Sequence, residues 1–391
     1  MKKFLALAMA GSMAFSLAAC GNSASTSASA SDSASTATSS ATSEEAAVSE
    51  ITGIAQVCDV GTIDDESFNQ GCWEAVEAFG EANGIDVEYY LPSDDNDEER
   101  QTLIRNAIND GANTVVCVGY LYGSALAWAS EEYPDVNFIG VDMTAADIGT
   151  ETVPSNVYCI TYKEEQAGYL AGYAAVKDGF TELGFLGGMA VPAVIRYGYG
   201  FVQGADAAAQ EMGTNIHINY WYGGAFSGDA NITAKMESWY SGGTQVVFAC
   251  GGGIYTSAVE AAVKYDGKVI GVDVDQSYVG AQGMEDGKYD YNPFLTSAMK
   301  GLNQGVTDAL DHILNGTWSS IAGTNGLYGL QEGDYIGLPT AESSWGFSTF
   351  TVEEYETLRE KIRSGEITID NSSDDATKPE VSANTTVDYQ V

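Results

Sequence analysis

The chain has 391 residues, with 16 Lys+Arg against 55 Asp+Glu, a formal net charge of −39 and a pI near 4.1. Such an acidic surface repels phosphate backbones and anionic headgroups, which argues against nucleic acid as a partner, while an apolar fraction of 45% is ordinary for a globular protein. Two histidines, His217 and His312, lack a second ligand-type residue at metal spacing, so both read as structural and no metal or cofactor is expected.

The opening stretch MKKFLALAMAGSMAFSLAAC sets Lys2 and Lys3 before an apolar run and small residues before Cys20. The run is shorter than the roughly 20 apolar residues that span a bilayer, and reads as a secretory signal peptide over residues 1–19. Leu17-Ala18-Ala19-Cys20 resembles the bacterial lipobox, whose cysteine is acylated, so a lipid anchor on the extracytoplasmic face of the cell membrane is expected. Residues 20–50 are almost wholly Ser, Ala and Thr, a flexible tether, and similar composition predicts a flexible tail over 371–391. Cys58, Cys72, Cys117, Cys159 and Cys250 form no CxxC pair and read as small buried hydrophobes.

From there strand-like and helix-like segments alternate. AQVCDV reads as a buried strand, and SFNQGCWEAVEAFGEANG as a helix with Ser67 as N-cap and a stop at Gly84. IDVEYYL, TVVCVGY, VNFIGVD and NVYCITY are further strands, separated by the helices EERQTLIRNAINDG and SALAWASEEY. The pattern then restarts with the helix KEEQAGYLAGYAAVKDG, the strand ELGFLGG and the helix AVIRYGYGFVQGADAAAQEMG. Strands IHINYWYG, TQVVFACGG and KVIGVDV follow, with helices ITAKMESWYSGG and TSAVEAAVKYDG between them. This order predicts an α/β protein of two doubly wound parallel-sheet lobes, with a ligand at the carboxyl ends of the strands.

Those ends carry chemistry. Asp59, Asp142 and Asp273 each close a strand-like run. Each can cap its following loop or offer a carboxylate to a ligand, and their coincidence at three strand ends favours the ligand. GGGIYTS lacks the third glycine and the Lys-Ser/Thr of a phosphate loop. The acidic runs at 64–66 and 94–99 read as solvated loop and helix N-terminal charge.

The segment CDVGTIDDESFNQGCWEAV resembles the N-terminal signature of the basic membrane protein family, lipoproteins that bind nucleosides for ABC importers. NVYCITYKEEQAGYLAGYAAV, LGFLGGMAVPAVIRYGYGFVQG, VVFACGGGIYTSAVEAA, VIGVDVDQ and LTSAMKGLNQGV follow in the family's order, across nearly all of residues 51–370. The resemblance implies a type I periplasmic-binding-protein fold, a purine nucleoside as ligand, an ABC permease as partner, a monomer and no catalysis. It implies that Asp59 and Asn69 bond the base edge, Phe68 and Phe226 stack on the base, and Asp142, Asp273 and Lys300 hold the sugar. Gly252 and Gly253 would let the backbone approach that sugar. The division implied places 51–161 and 277–320 in one lobe and 162–276 and 321–370 in the other.

Two departures stand out: Glu66 occupies a position usually lysine, with its side chain expected in solvent, and the stretch between Gly283 and Lys300 is Tyr-rich. Three other functions fit the same residues: a secreted nucleoside hydrolase, a binder of a sugar or an autoinducer, and a surface sensor without a transporter.

Overall fold

The computed structural model describes residues 51–390; the leader, Cys20 and the tether lie outside the described residues. In the first run, β1 (Ile54–Val57), β2 (Val87–Tyr90), β3 (Thr114–Val118), β4 (Asn137–Val141) and β5 (Val157–Tyr162) alternate with α1 (Phe68–Asn83), α2 (Asp97–Asn109), α3 (Gly123–Glu132) and α4 (Ala145–Ile148). β1, β3, β4 and β5 are buried along their whole length, because helices cover both faces of a parallel sheet. Gly84 ends α1 in the left-handed conformation, at φ 67°, as the sequence predicts.

The second run holds α5 (Glu164–Lys177), β6 (Glu182–Gly187), α6 (Pro192–Met212), β7 (Ile216–Tyr222), α7 (Ala230–Ser241) and β8 (Val246–Cys250). It continues through α8 (Tyr255–Lys264), β9 (Lys268–Asp273), α9 (Ser277–Glu285) and β10 (Phe294–Lys300). After these come α10 (Leu302–Leu314), β11 (Thr324–Tyr328), β12 (Ile336–Gly337), α11 (Val352–Arg363) and β13 (Thr385–Tyr389). The strands form a six-stranded sheet in the order β11-β5-β4-β3-β1-β2 and a seven-stranded sheet in the order β12-β10-β9-β8-β6-β7-β13. Every pairing is parallel except β10 with β12.

Two assignments made from the sequence are corrected. β10 joins lobe 2 beside β9, so lobe 2 runs on to Lys300, and β11 joins lobe 1 beside β5. The β9–α9–β10 unit adds its strand to the sheet it starts from, and only α10 returns to pack on α1. The tail is also not featureless, since β13 pairs with β7 as the edge of lobe 2 and Tyr389 sits 5.0 Å from Tyr220, ring centre to centre.

The chain crosses between lobes after β5, after β10 and between β11 and β12. These crossings are bonded together: the Tyr162 hydroxyl donates to the Gly301 carbonyl at 3.0 Å, and the Gly301 N–H donates to the Tyr335 carbonyl at 2.6 Å. In lobe 2, α5 and α6 touch backbone to backbone. A Cβ on Gly168 would lie 2.0 Å from the Tyr197 carbonyl oxygen, and one on Gly200 would lie 2.1 Å from that of Glu165. That contact brings the first turns of both helices against the cleft.

Candidate functional site

A cavity with about 620 Å³ of empty space, its mouth included, lies between the lobes at the carboxyl ends of both sheets. This is the place where doubly wound folds bind ligands. Lobe 1 contributes Asp59 after β1, Gly119 and Tyr120 after β3, Asp142 after β4, and Asp65, Phe68 and Asn69 around the start of α1. Lobe 2 contributes Val191 to Val194 and Tyr197 of α6, Phe226, Cys250 to Gly252, Asp273 and Lys300.

The sequence places Ser67 as the N-cap of α1, and the structure keeps it at that position but without a side-chain capping bond, which Asp65 supplies instead. Its carboxylate accepts from the backbone N–H groups of Ser67, Asn69 and Gln70 at 2.9, 3.0 and 3.1 Å. Asp65 is therefore buried rather than solvated, and burial, opposed by those three bonds, pushes its carboxyl up to about 6. The freed Ser67 hydroxyl crosses the cleft and donates to Asp273 Oδ2 at 2.6 Å. Glu66, expected in solvent, is half-buried at φ 53°, and its carbonyl accepts from Gln276 of the other lobe at 2.8 Å.

Asn69 lines the cavity, but its amide hydrogens go to Asp59 Oδ1 at 2.8 Å and Asp65 Oδ2 at 3.2 Å. It thereby orients Asp59, whose Oδ1 also accepts from the Gly61 N–H at 2.8 Å. Burial raises the Asp59 carboxyl, against the lowering effect of those bonds.

At the other end, Lys300 is buried among Asp142, to which it is bonded, Asp273 at 3.5 Å and Glu164 at 3.9 Å. Its ammonium also stands 4.6 Å from the centre of the Phe68 ring. Burial works against the ammonium, but the surrounding carboxylates outweigh it and hold the lysine protonated. Burial pushes Asp142 up to about 6 in spite of Lys300, and Asp142 Oδ1 has no protein partner. Asp142 and Asp273 both sit in the left-handed region, at φ 57° and 67°, a backbone cost on the order of 1–3 kcal/mol each that functional sites tolerate. Neither carboxylate caps the loop that follows it; their bonds go to Lys300 and Ser67. Arg196 Nε donates to Glu164 Oε2 at 2.6 Å, so a second cation backs the cluster.

Phe226 reaches the cavity through a glycine-lined gap: a Cβ on Gly188 would lie 2.5 Å from its ring. Gly252 has the same purpose, since its Cβ would meet the Phe226 carbonyl oxygen at 2.9 Å, and the Gly253 N–H donates to that oxygen at 2.8 Å. Both glycines thus seat an aromatic; Gly252 also lines the cavity, and Gly253 is not part of its lining.

The residues that sequence reasoning missed are Asp65, Tyr120, the Val191–Val194 turn, Tyr197, Glu164 and Arg196. Asp65 precedes the helix by a capping distance, a usable signal; Tyr197 follows the apolar spacing of α6 and looks like core. Among the described residues no cluster of His, Cys, Asp and Glu could hold a metal, and the five cysteines there are buried and free.

Residues 53–373 match the family described as ABC transporter substrate-binding protein PnrA-like. The chain is 30% identical over 301 residues to the ABC transporter nucleoside-binding protein BmpA of Lactococcus lactis subsp. cremoris, covering 74% of this chain and 82% of that one. It is 31% identical over 328 residues to a CD4+ T-cell-stimulating antigen of Listeria monocytogenes serovar 1/2a, covering 81% and 87% of the two chains. The crystal structure of an ABC transporter solute-binding protein from Aeropyrum pernix K1 shares the fold, with a TM-score of 0.69 at 21% identity over 83% of this chain and 94% of that one.

Proposed function

We propose a function from one premise: the chain belongs to the Bmp family, the PnrA-like substrate-binding proteins of ABC transporters. It is a substrate-binding protein with the periplasmic-binding-protein fold, and a transporter is its partner. The ligand we assign is a purine nucleoside, captured between the lobes by a monomer and delivered to an ABC importer. Acylation of Cys20 would hold the chain at the extracytoplasmic face of the membrane; no helix among the described residues is long and apolar enough to cross one.

The observation that carries this reading is the pairing of two kinds of chemistry in one cavity. Phe68 and Phe226 come from opposite lobes to line it, while Asp142, Asp273 and Lys300 gather at one end. A flat base with an attached polyol uses both. Each ring adds about 0.5–1.5 kcal/mol beyond area burial, and each hydrogen bond to a charged group contributes about 1.5–3 kcal/mol. Four aspartates against one lysine on the wall disfavour a phosphorylated ligand. The relative from Lactococcus lactis, whose name records nucleoside binding, supports the same ligand class.

Titration calorimetry with inosine, guanosine, adenosine, ribose, AMP and galactose tests the assignment. Tight binding of at least one purine nucleoside, with AMP and both free sugars at least about 100-fold weaker, is expected. Preference for a free sugar would overturn it in favour of a sugar receptor, and release of free base during incubation would make the protein a hydrolase.

A further inference from the structure

Buried tyrosine hydroxyls in this protein have partners. Tyr122 donates to the Cys58 carbonyl at 2.8 Å, Tyr240 to that of Lys268 at 2.6 Å, and Tyr355 to that of Leu338 at 3.2 Å. Tyr162 bonds Gly301, and Tyr220 and Tyr222 bond each other at 2.9 Å. Two buried tyrosine hydroxyls among the described residues do not: Tyr389, on the outer edge strand of lobe 2, and Tyr197, on the cavity wall.

Tyr197 is 1% exposed. Its ring meets Phe248 edge-on, with centroids 5.8 Å apart and planes at 85°, and the Lys300 ammonium lies 5.8 Å from its centre. The side chain is thus fixed from two sides. Asp142 Oδ1 and Glu164 Oε1, on the carboxylates that face Lys300, also lack hydrogen-bond partners, and the same ammonium lies beside the Tyr197 ring. A phenylalanine would fill the same apolar space without stranding a hydroxyl, so packing alone does not account for the oxygen.

We propose that the Tyr197 hydroxyl is a specificity-determining group that hydrogen-bonds a sugar hydroxyl of the bound ligand; this rests on the nucleoside reading. The carboxylates of Asp142 and Asp273 only accept, and the Lys300 ammonium is already shared among three carboxylates. A ligand hydroxyl that donates to one of those carboxylates keeps its own lone pairs unmet, and a tyrosine O–H supplies the missing donor. Burial first, and the charges of Asp273 and Glu164 after it, keep the phenol protonated and therefore a donor.

The test is Tyr197→Phe, measured by calorimetry with adenosine and with its 2′-, 3′- and 5′-deoxy analogues, beside thermal unfolding of the empty proteins. The variant should bind adenosine about 3- to 10-fold more weakly. One deoxy analogue should bind wild type and variant alike, which identifies the hydroxyl involved. The empty variant should melt at the wild-type temperature or above it, because it no longer buries an unpaired hydroxyl. Equal adenosine affinity in both proteins overturns the inference and leaves the nucleoside reading standing. A loss of the same size for adenosine and all three analogues also overturns it, as does a lower melting temperature with unchanged affinity. A wild type that binds no riboside overturns the nucleoside reading, and the inference falls with it.

Discussion

In the first turn of α5, Glu165 is 4% exposed and its Oε2 has no partner. Burial, and then the charge of Glu164 beside it, push its carboxyl from 4.5 up to about 7, against the pull of Arg196 and Lys163. A raised carboxylate stabilises the fold below its unfolded pKa, and that contribution is lost as pH climbs through the folded one. Between 4.5 and about 7 the loss is on the order of 3 kcal/mol. Glu165→Gln should therefore melt at a higher temperature than wild type at pH 8, and its melting point should change less between pH 5 and pH 8. Parallel pH profiles for the two proteins would show that Glu165 is not a source of the dependence. Legibility at this scale depends on how local the cause is. Asp59, Phe68, Asp142, Phe226, Asp273 and Lys300 were all readable and share one cavity. Asp65 was read as solvated loop charge, although its place before the helix was a usable signal; its bonds to Ser67, Asn69 and Gln70, and that of the Ser67 hydroxyl to Asp273, 206 positions away, belong to the folded chain.

Among elements, β13 best shows what periodicity leaves out. It is only five residues long with Val387 and Tyr389 its only apolar side chains, Thr385 alone is buried, and its polar composition resembles a loose tail. What orders it lies elsewhere in the fold: the outer edge of β7, the buried Asp206 that accepts from the Ser382 hydroxyl at 2.6 Å, and Trp239, whose indole N–H donates to Gln390 at 3.2 Å. The family match ends at residue 373, so this strand lies beyond it. Removing residues 374–391 would uncover IHINYWY as an unpaired, partly apolar edge. Melting should fall by about 5 °C or more, with concentration-dependent aggregation on heating, while ligand affinity stays within about threefold because no cavity residue is lost. Unchanged melting and solubility would show that the strand contributes nothing to the sheet. β10 and β11 teach a related lesson. Neither was assigned as a strand from the sequence, and a βαβ pattern does not say which of two sheets a late strand joins.

Across the whole molecule, the cleft is bridged by Ser67 to Asp273, Gln276 to the Glu66 carbonyl, and Lys300 to Asp142. Asp59, Asp65 and Asp142 on one lobe face Asp273 on the other. That like-charge arrangement opposes closure of an empty cleft, and a ligand that touches both faces shifts the population toward the closed form. Small-angle scattering should give a larger radius of gyration for stripped protein than for protein saturated with nucleoside; superimposable curves would argue against hinge closure. The bonded crossings at Tyr162, Gly301 and Tyr335 are where the chain passes between the lobes, and they carry a consequence for how the chain assembles. When residues 51–162 have been made, β5 still presents VYCITY as a bare edge, and the strand that covers it does not arrive until Thr324–Tyr328. Lobe 2 must be laid down in the meantime. Closure of both sheets is thus a long-range event, slow and exposed to mispairing. The two lobes, joined by three crossings, therefore mature together, and no single cut in the chain releases either lobe intact.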